Sequence, residues 1–401
     1  MRLALPTPHE HLQNATLAVA TRLRMTIASK FPLEISDAII DHLHEDSKSL
    51  AICGLVCRQW VAASRYHLID TLWIRSNTAQ WCFHILQSPL CTLWPYVRHL
   101  RMCEQRFYPD SLIHSPKGLP LTKFVAVETL LLHGMQWPAR NELGVALLSG
   151  FGRVRELEIC ACKFKAGADV LDFVNAFPLL ERLVLNGNEF RREGPVTLHR
   201  ATKVGQARLI SLYLKSIMNH ELFILHNLLL AFGPLLIHLQ LGPPAFLREV
   251  PEGKLKSNVC HRHAKTYASA IDAEWSLLID LSRNTNLRSV TFDRVGHDQW
   301  TPGLALPSVE WMLRTVSTLN SPHLERFKMQ IVTGGLWDLG NMGMDELDRI
   351  LTEPRFVRLS EVELNVVSLD YQFSPAVAMN YITGYLPHCH KKNILSVSYV
   401  M

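Results

Sequence analysis

Two short clusters of histidine and cysteine carry the residue types that bind metal ions. One lies at 260–263 and the other at 388–390. Imidazole and thiolate groups are the usual zinc ligands, but a structural zinc site needs four of them at defined spacings. Neither cluster has a second pair at such a spacing, and 19 histidines in 401 residues form clusters by chance. The sequence therefore predicts no metal site and no cofactor.

Nucleophilic and phosphate-binding motifs are absent from the sequence. It contains no Gly-rich phosphate loop, no G-x-S-x-G motif and no H-E-x-x-H motif. The acidic group Asp345, Glu346 and Asp348 lies where a helix is expected to begin, and the helix dipole favours carboxylates there. We therefore predict no catalytic residues and a protein that is not an enzyme. An enzyme built on an α/β fold is kept as an alternative.

The composition limits the classes of partner. Hydrophobic residues make up 48% of the chain and charged residues 19%, which indicates a large folded core. A net charge of +5 is too small at this length to indicate nucleic-acid binding. The nine cysteines have no paired spacing, which is typical of a reducing compartment. A cytoplasmic or nuclear location is therefore expected.

One long apolar stretch, 222–241, contains no charged residue. Its length is that of a membrane-spanning helix, about 20 residues. However, Gly233 and Pro234 form a turn signal in its middle. The segment therefore predicts a buried helix, a turn and a buried strand, and no membrane partner is expected.

A short apolar pattern recurs along most of the chain. In each copy, the first and second apolar residues are separated by two arbitrary residues, and the second and third by one. The second apolar positions are Leu100, Leu130, Leu157, Leu183, Leu212, Leu239, Val290, Phe327, Val362 and Val397. Each copy alternates as a half-buried strand does, and the first six lie 26–30 residues apart, close to the period of leucine-rich repeats. Only Cys162 and Asn188 occupy the Asn or Cys position of the full repeat signature, so the copies are degenerate.

Stretches with helical spacing lie between these strands. They are 169–177, 274–282, 309–319, 345–351 and 376–386. The alternation predicts an α/β fold, an open leucine-rich-repeat-like solenoid of alternating helices and strands. A doubly wound α/β domain is the alternative, and a closed barrel is disfavoured because ten strands exceed eight. An insertion at about 242–272 is basic, and is either a binding loop or a solvated one.

A different pattern occupies residues 31–74. Pro32 suits the first turn of a helix, where its missing N–H costs nothing. Ile35, Ile39 and Leu43 follow at a spacing of four, which places them on one face of that helix. Two more short helices are predicted after it. Three such helices bury little core, so part of their apolar surface should meet a partner or the next domain.

This segment closely resembles an F-box, the adaptor-binding motif of F-box proteins. The family pattern is roughly L-P-x-E-I-x-x-x-I, a spacer, L-x-x-C-x-L-V-C-R-x-W and then R-x-x-L. Thirteen defined positions match it: Pro32, Glu34, Ile35, Ile39, Leu50, Cys53, Leu55, Val56, Cys57, Arg58, Trp60, Arg65 and Leu68, while Leu33 occupies the variable position after the proline. Phe31 stands where the family has leucine. The degenerate repeats and the segment 386–397 look like those of fungal F-box proteins.

The resemblance implies a function and partners. F-box proteins dock onto a Skp-family adaptor, and through it onto a cullin–RING ubiquitin ligase, while another domain holds a protein substrate. The residues implied in adaptor contact, or in the helix packing beneath it, are Pro32, Leu33, Ile35, Ile39, Leu43, Leu50, Leu55, Val56 and Trp60. The sequence does not separate these two roles.

The predicted organisation has three parts. Residues 1–28 are a lead-in that is poorly ordered or helical, 29–75 are the F-box, and 76–401 are the repeat domain. The chain is expected to be the non-catalytic substrate adaptor of a ubiquitin ligase. The alternative is a leucine-rich-repeat scaffold whose F-box serves assembly without ubiquitination.

Overall fold

A computed structural model describes most of the chain. It covers residues 32–89, 91–104, 123–137, 150–164, 167–190, 208–216, 222–242, 279–296, 309–333, 339–340, 342–368 and 375–400. Several predictions lie outside these residues: the lead-in at 1–28, the cluster at 260–263, the insertion beyond Gly242, and 274–278 of one predicted helix.

Eleven parallel strands form the main sheet. In chain order they are β1 (Thr71–Arg75), β2 (His99–Cys103), β3 (Thr129–His133), β4 (Glu156–Cys160), β6 (Arg182–Asn186), β8 (Ser211–Ser216), β9 (His238–Leu241), β10 (Ser289–Gly296), β11 (Arg326–Thr333), β12 (Glu361–Ser368) and β13 (Leu395–Val400). Two short strands, β5 (Lys163–Phe164) and β7 (Glu189–Phe190), pair separately. The order in the sheet is the order in the chain, and β1 and β13 lie at its two edges. The α/β class is therefore confirmed and the closed barrel is excluded. A doubly wound sheet would reverse its strand order at one point.

The recurring apolar residues form rows across this sheet. Leu100 and Leu130, for example, are register partners on β2 and β3, and both are buried. Alternate residues of each strand face the other way and are more exposed. The last copy departs from the pattern. Val397 lies opposite Leu364 instead of Val362, so the sequence pattern misplaces the register of β13 by two residues.

The range assigned to the helical F-box, 29–75, contains the first strand of the sheet. Ile69, Leu72 and Ile74 fit the recurring apolar pattern and pack against the core of the sheet. β1 pairs with β2 along its whole length. The signal that marks the other strands therefore marks this one too, and the sheet begins inside a range expected to be helical.

Ten α-helices lie in the described part of the chain. They are α1 (Leu33–His42), α2 (Ser47–Val56), α3 (Arg58–Leu68), α4 (Ala79–Gln87), α5 (Gly167–Asn175), α6 (Leu222–Phe232), α7 (Glu310–Thr318), α8 (Met344–Leu351), α9 (Pro375–Tyr385) and α10 (Pro387–Lys391). The predicted helices at 169–177, 309–319, 345–351 and 376–386 are confirmed to within two residues as α5, α7, α8 and α9. The predicted helix at 274–282 is wrong over 279–282, which is not helical.

These helices pack their apolar faces against the sheet core. Phe173, Trp311, Leu347 and Ile382, one from each of α5, α7, α8 and α9, are all buried in it. The charge-free stretch 222–241 forms α6, a 3₁₀ turn and β9, as predicted. None of the described helices combines the length and the apolar composition needed to cross a bilayer.

β9 and β10 are direct neighbours despite the long chain between them. Leu239 pairs with Val290, 51 positions later. The insertion predicted at 242–272 therefore lies within a single connection between two adjacent strands. Gly242 is the one residue of that insertion which the structure describes, and it is buried.

The same turn follows β3, β4 and β6. Gly134, Ala161 and Gly187, each two positions beyond the apolar pattern, have positive φ angles of 69°, 50° and 58°. The amide of Gly134 donates to the carbonyl of Cys160 (2.9 Å), and the amide of Ala161 donates to the carbonyl of Asn186 (2.8 Å). Three successive strands are therefore followed by a residue with a positive φ, and hydrogen bonds join the first two of these turns to the next strand.

The two signature residues found in the sequence, Cys162 and Asn188, contact each other. The Asn188 side chain is buried, its Oδ1 accepts from the amide of Cys162 (3.0 Å), and its Nδ2 donates to the carbonyl of Ile159 (3.1 Å). Asn188→Ala leaves both backbone groups without their hydrogen-bond partner. We therefore expect the free energy of unfolding to fall by about 2–3 kcal/mol in urea titrations. The control Asn186→Ala should change it by less than about 0.5 kcal/mol. Equal losses in the two variants would contradict this role.

Candidate interaction surface

Local signals set the boundaries of the three N-terminal helices. α1 begins directly after Pro32. α2 is capped by Asp46, whose carboxylate accepts hydrogen bonds from the amides of Lys48 and Ser49 (3.1 Å each). The Ser49 hydroxyl also donates to that carboxylate, and these bonds lower the pKa of Asp46. Cys57 is extended, with φ of −158°, so α2 ends before it and α3 starts after it in a new direction.

A small apolar core holds these helices together. Ile40, Leu50 and Cys53 are its buried residues. The partly buried residues packed around them are Leu43, Trp60, Ala63 and Leu68. A core of this size stabilises three helices only marginally, as the sequence predicts.

Both α1 and α2 expose large apolar side chains. Leu33, Ile35 and Ile39 on α1 are each about half exposed, while Ile52 and Leu55 on α2 are 65% and 87% exposed. Ile35 and Ile39 lie one turn apart, as do Ile52 and Leu55, so each pair shares a helix face. Large apolar side chains that share a helix face at this exposure are typical of interaction sites. We refer to these five residues as the apolar surface of α1 and α2.

The structure places the nine motif residues in two environments. Leu50 is buried, and Leu43 and Trp60 are partly buried in the helical core. Val56 is half-buried. The exposed members of the set are Pro32, Leu33, Ile35, Ile39 and Leu55. Exposure and helix packing, which the sequence leaves unseparated, therefore fall on different members of the set.

Two residues differ from the sequence prediction. A spacing of four predicts Leu43 on one face with Ile35 and Ile39, but α1 ends one residue earlier and Leu43 packs on the core. Ile52 is outside the motif yet is one of the exposed apolar residues. Its spacing of three from Leu55 is the signal that could have identified it.

Side-chain contacts attach the helices to the start of the sheet. The guanidinium of Arg98, just before β2, lies over the ring of Tyr66 in α3, 4.3 Å from its centroid. Arg65 of α3 donates a hydrogen bond to the hydroxyl of Thr92. β1 begins three residues after α3 ends. The apolar surface of α1 and α2 is therefore held beside one end of the sheet.

The cluster at 388–390 is tied to a buried carboxylate. Asp348 of α8 accepts hydrogen bonds from the amides of His388 (3.0 Å) and Cys389 (2.9 Å) and lies 2.7 Å from Nδ1 of His388. Asp348 thus links α8 to α10. The sequence predicts only a favourable interaction between its charge and the start of the helix. Burial raises the pKa of the Cys389 thiol to about 12, which suppresses its ionisation. Among the described residues no group of three or more side chains is arranged to hold a metal ion.

Comparison with known proteins does not identify this surface. No model of a protein family matches the chain, and no curated protein matches it. What the surface binds is therefore inferred from its own residues and geometry.

Proposed function

We propose that the chain is the substrate-recognition adaptor of a Skp–cullin–F-box ubiquitin ligase. In this proposal α1–α3 are an F-box that binds a Skp-family adaptor, and the sheet domain holds a protein substrate. The observation that carries the proposal is the apolar surface of α1 and α2. Three of its five residues, Ile35, Ile39 and Leu55, stand at defined positions of the F-box pattern and are exposed.

A partner that covers this surface would gain substantial binding free energy. Burying one large aliphatic side chain contributes about 1.5–3 kcal/mol, and Leu55 is almost wholly free to be buried. Leu50 and Trp60 match the same pattern but pack inside the helices. Their proposed role is to hold α1 and α2 in the arrangement that presents the exposed residues.

The sheet domain has features that suit a substrate-binding solenoid. Its strands pair in chain order, and three successive strands are each followed by a residue with a positive φ. Such regularity is typical of repeat proteins, in which each unit packs only on its neighbours and the array presents an extended binding surface. We infer an open leucine-rich-repeat-like solenoid whose first strand is β1.

The proposed mechanism is proximity. A substrate held on the sheet domain is brought near the ubiquitin-loaded enzyme, which raises the effective concentration of its lysines. The chemistry of ubiquitin transfer belongs to the other subunits. This chain is proposed to contribute two binding surfaces and no catalytic residue.

Ile39→Asp and Leu55→Asp test the proposal. Each places a charge on the apolar surface of α1 and α2 without entering the small core, so the helices should still fold. We expect the affinity of the full chain for a purified Skp-family adaptor to fall at least about tenfold in each variant, because a desolvated apolar contact is lost. Biolayer interferometry measures it. Trp60→Asp is unsuitable because Trp60 packs on the core.

Val357→Asp is the matched control. Val357 is 81% exposed and lies outside α1–α3, so its substitution should leave adaptor binding unchanged. Unaltered affinity in both test variants contradicts the proposal. So does a wild-type chain that fails to co-purify with the adaptor under conditions in which a known F-box protein does. The scaffold alternative would be favoured if the wild-type chain binds the adaptor but client proteins are not stabilised in cells that carry Ile39→Asp.

A further inference from the structure

Two guanidinium groups flank one exposed aromatic ring on the first two strands. Trp73 of β1 is 43% exposed, and the guanidinium groups of Arg75 and Arg101 lie 5.0 and 4.7 Å from its ring centroid. Trp73 and Arg101 are register partners on β1 and β2. Because Leu72 and Ile74 pack toward the core, these three side chains project from the opposite face of the sheet.

These two arginines have no carboxylate partner in the described part of the chain. Both guanidinium groups lie over the ring of Trp73. Farther along the same face, Arg182 also lies over an aromatic ring but pairs with Glu156 at 3.8 Å. Among the described residues, positive charge is therefore paired with a carboxylate at Arg182 and not at Arg75 or Arg101.

The geometry suits closely spaced carboxylates. Both guanidinium groups lie near one ring centroid, so they are at most about 10 Å apart. Side chains two residues apart in an extended segment project to the same side with a spacing of about 6–7 Å. Each guanidinium can donate two parallel hydrogen bonds to one carboxylate. Stacking on Trp73 restricts both groups before a ligand arrives, which reduces the entropy lost on binding.

We propose that Trp73, Arg75 and Arg101 form a binding site for an extended acidic segment of a protein partner, in which Asp or Glu alternates with other residues. The carboxylates pair with the two guanidinium groups, and the aliphatic stems of the segment lie on the exposed indole. The assignment of this segment to a ubiquitination substrate rests on the proposed function. The binding itself requires no Skp-family adaptor.

A fluorescein-labelled peptide of about twelve residues that alternates Glu and Ser is the probe, since its carboxylates then share one side when extended. Its fluorescence anisotropy is measured in titrations with the full chain. We expect saturable binding that weakens as NaCl rises from about 50 to 200 mM. The double substitution Arg75→Gln and Arg101→Gln should weaken binding at least about tenfold, because two charge-assisted pairs are lost. A peptide with Gln in place of Glu should not bind.

Arg182→Gln is the matched control, because Arg182 is stacked on Tyr213 at 4.6 Å yet already paired. It should change the affinity by less than about twofold. Ile39→Asp should bind the probe as the wild type does, so this site and the proposed adaptor site can fail separately. Unchanged binding by the double variant, or equal binding of the Gln peptide, overturns the inference. So does binding that needs phosphorylated serines, or stronger binding of single-stranded RNA.

Discussion

Asp348→Ala is expected to lower the free energy of unfolding by about 3 kcal/mol at neutral pH. Asp348 is 1% exposed, and its carboxylate accepts hydrogen bonds from two backbone amides at the start of α10. Removing it leaves those amides without their partner and leaves a small cavity between α8 and α10. Urea denaturation followed by far-ultraviolet circular dichroism measures the change.

The contribution of Asp348 should depend on pH in one direction. Burial raises the pKa of Asp348, but hydrogen bonds from Cys389 and His388 outweigh burial and hold it below its usual value of 3.8. A carboxyl group with a lowered folded-state pKa stabilises the fold fully above its unfolded pKa of about 3.9. That stabilisation is lost as pH falls through the lower, folded-state pKa. The difference in stability between wild type and Asp348→Ala should therefore be constant above about pH 5 and shrink below about pH 4.

Asp345→Ala is the control for this effect. Asp345 lies in the first turn of the same helix, α8, but is exposed, so its loss should cost less than about 0.5 kcal/mol. A similar loss in both variants would show that charge at the helix start, and not the link to α10, is the cause.

Gly134→Ala is expected to lower the free energy of unfolding by about 3 kcal/mol or more. Gly134 has a φ of 69°, where a side chain alone costs about 1–2 kcal/mol. In addition, its Cβ would lie well inside contact distance of the carbonyl oxygen of Glu104. The amide of Glu104 is bonded to the carbonyl of His133 (2.8 Å), so this backbone cannot move aside without losing a sheet hydrogen bond. Thermal and urea unfolding both report the loss.

Gly187→Ala separates the two causes. Gly187 has a similar φ of 58° but no atom within 4 Å of an added Cβ, so only the backbone cost of about 1–2 kcal/mol applies. Ala161 stands at the corresponding position of the turn between them, with a φ of 50°, so alanine is accepted there. Equal losses in Gly134→Ala and Gly187→Ala would rule out the contact with Glu104.

The recurring apolar pattern predicts most of the sheet because each strand must bury the same two or three positions. It marks ten of the eleven strands. It also fits Ile69, Leu72 and Ile74, but the F-box resemblance extends over those residues and obscures the strand. At the other edge of the sheet, the pattern aligns Val397 with Val362 of β12, but in the structure Val397 pairs with Leu364, two residues farther along β12. Register is fixed by partners on the neighbouring strand, which one copy of the pattern does not contain.

The candidate surface is predictable only in part, because a motif names residues without giving their burial. Leu50 and Leu55 lie on one short helix and are both apolar, yet one is 1% and the other 87% exposed. The packing of α3 decides which of them is covered. The arginines at Trp73 were not predictable from spacing, since Arg75 and Arg101 lie 26 positions apart and meet only through the pairing of β1 with β2.

Because the strands are ordered as in the chain, position in the sequence sets distance along the sheet. Neighbouring strands lie about 4.8 Å apart, so the ten steps from β1 to β13 cover about 48 Å along the sheet. The three N-terminal helices are attached at the β1 end. A molecule bound near β2 is therefore close to whatever those helices hold, whereas one bound near β12 is farther away by roughly the diameter of a small protein. The strand to which a molecule binds therefore sets its distance from the molecule that the helices hold. Sequence changes that move a binding site along the sheet would alter that distance without altering the fold.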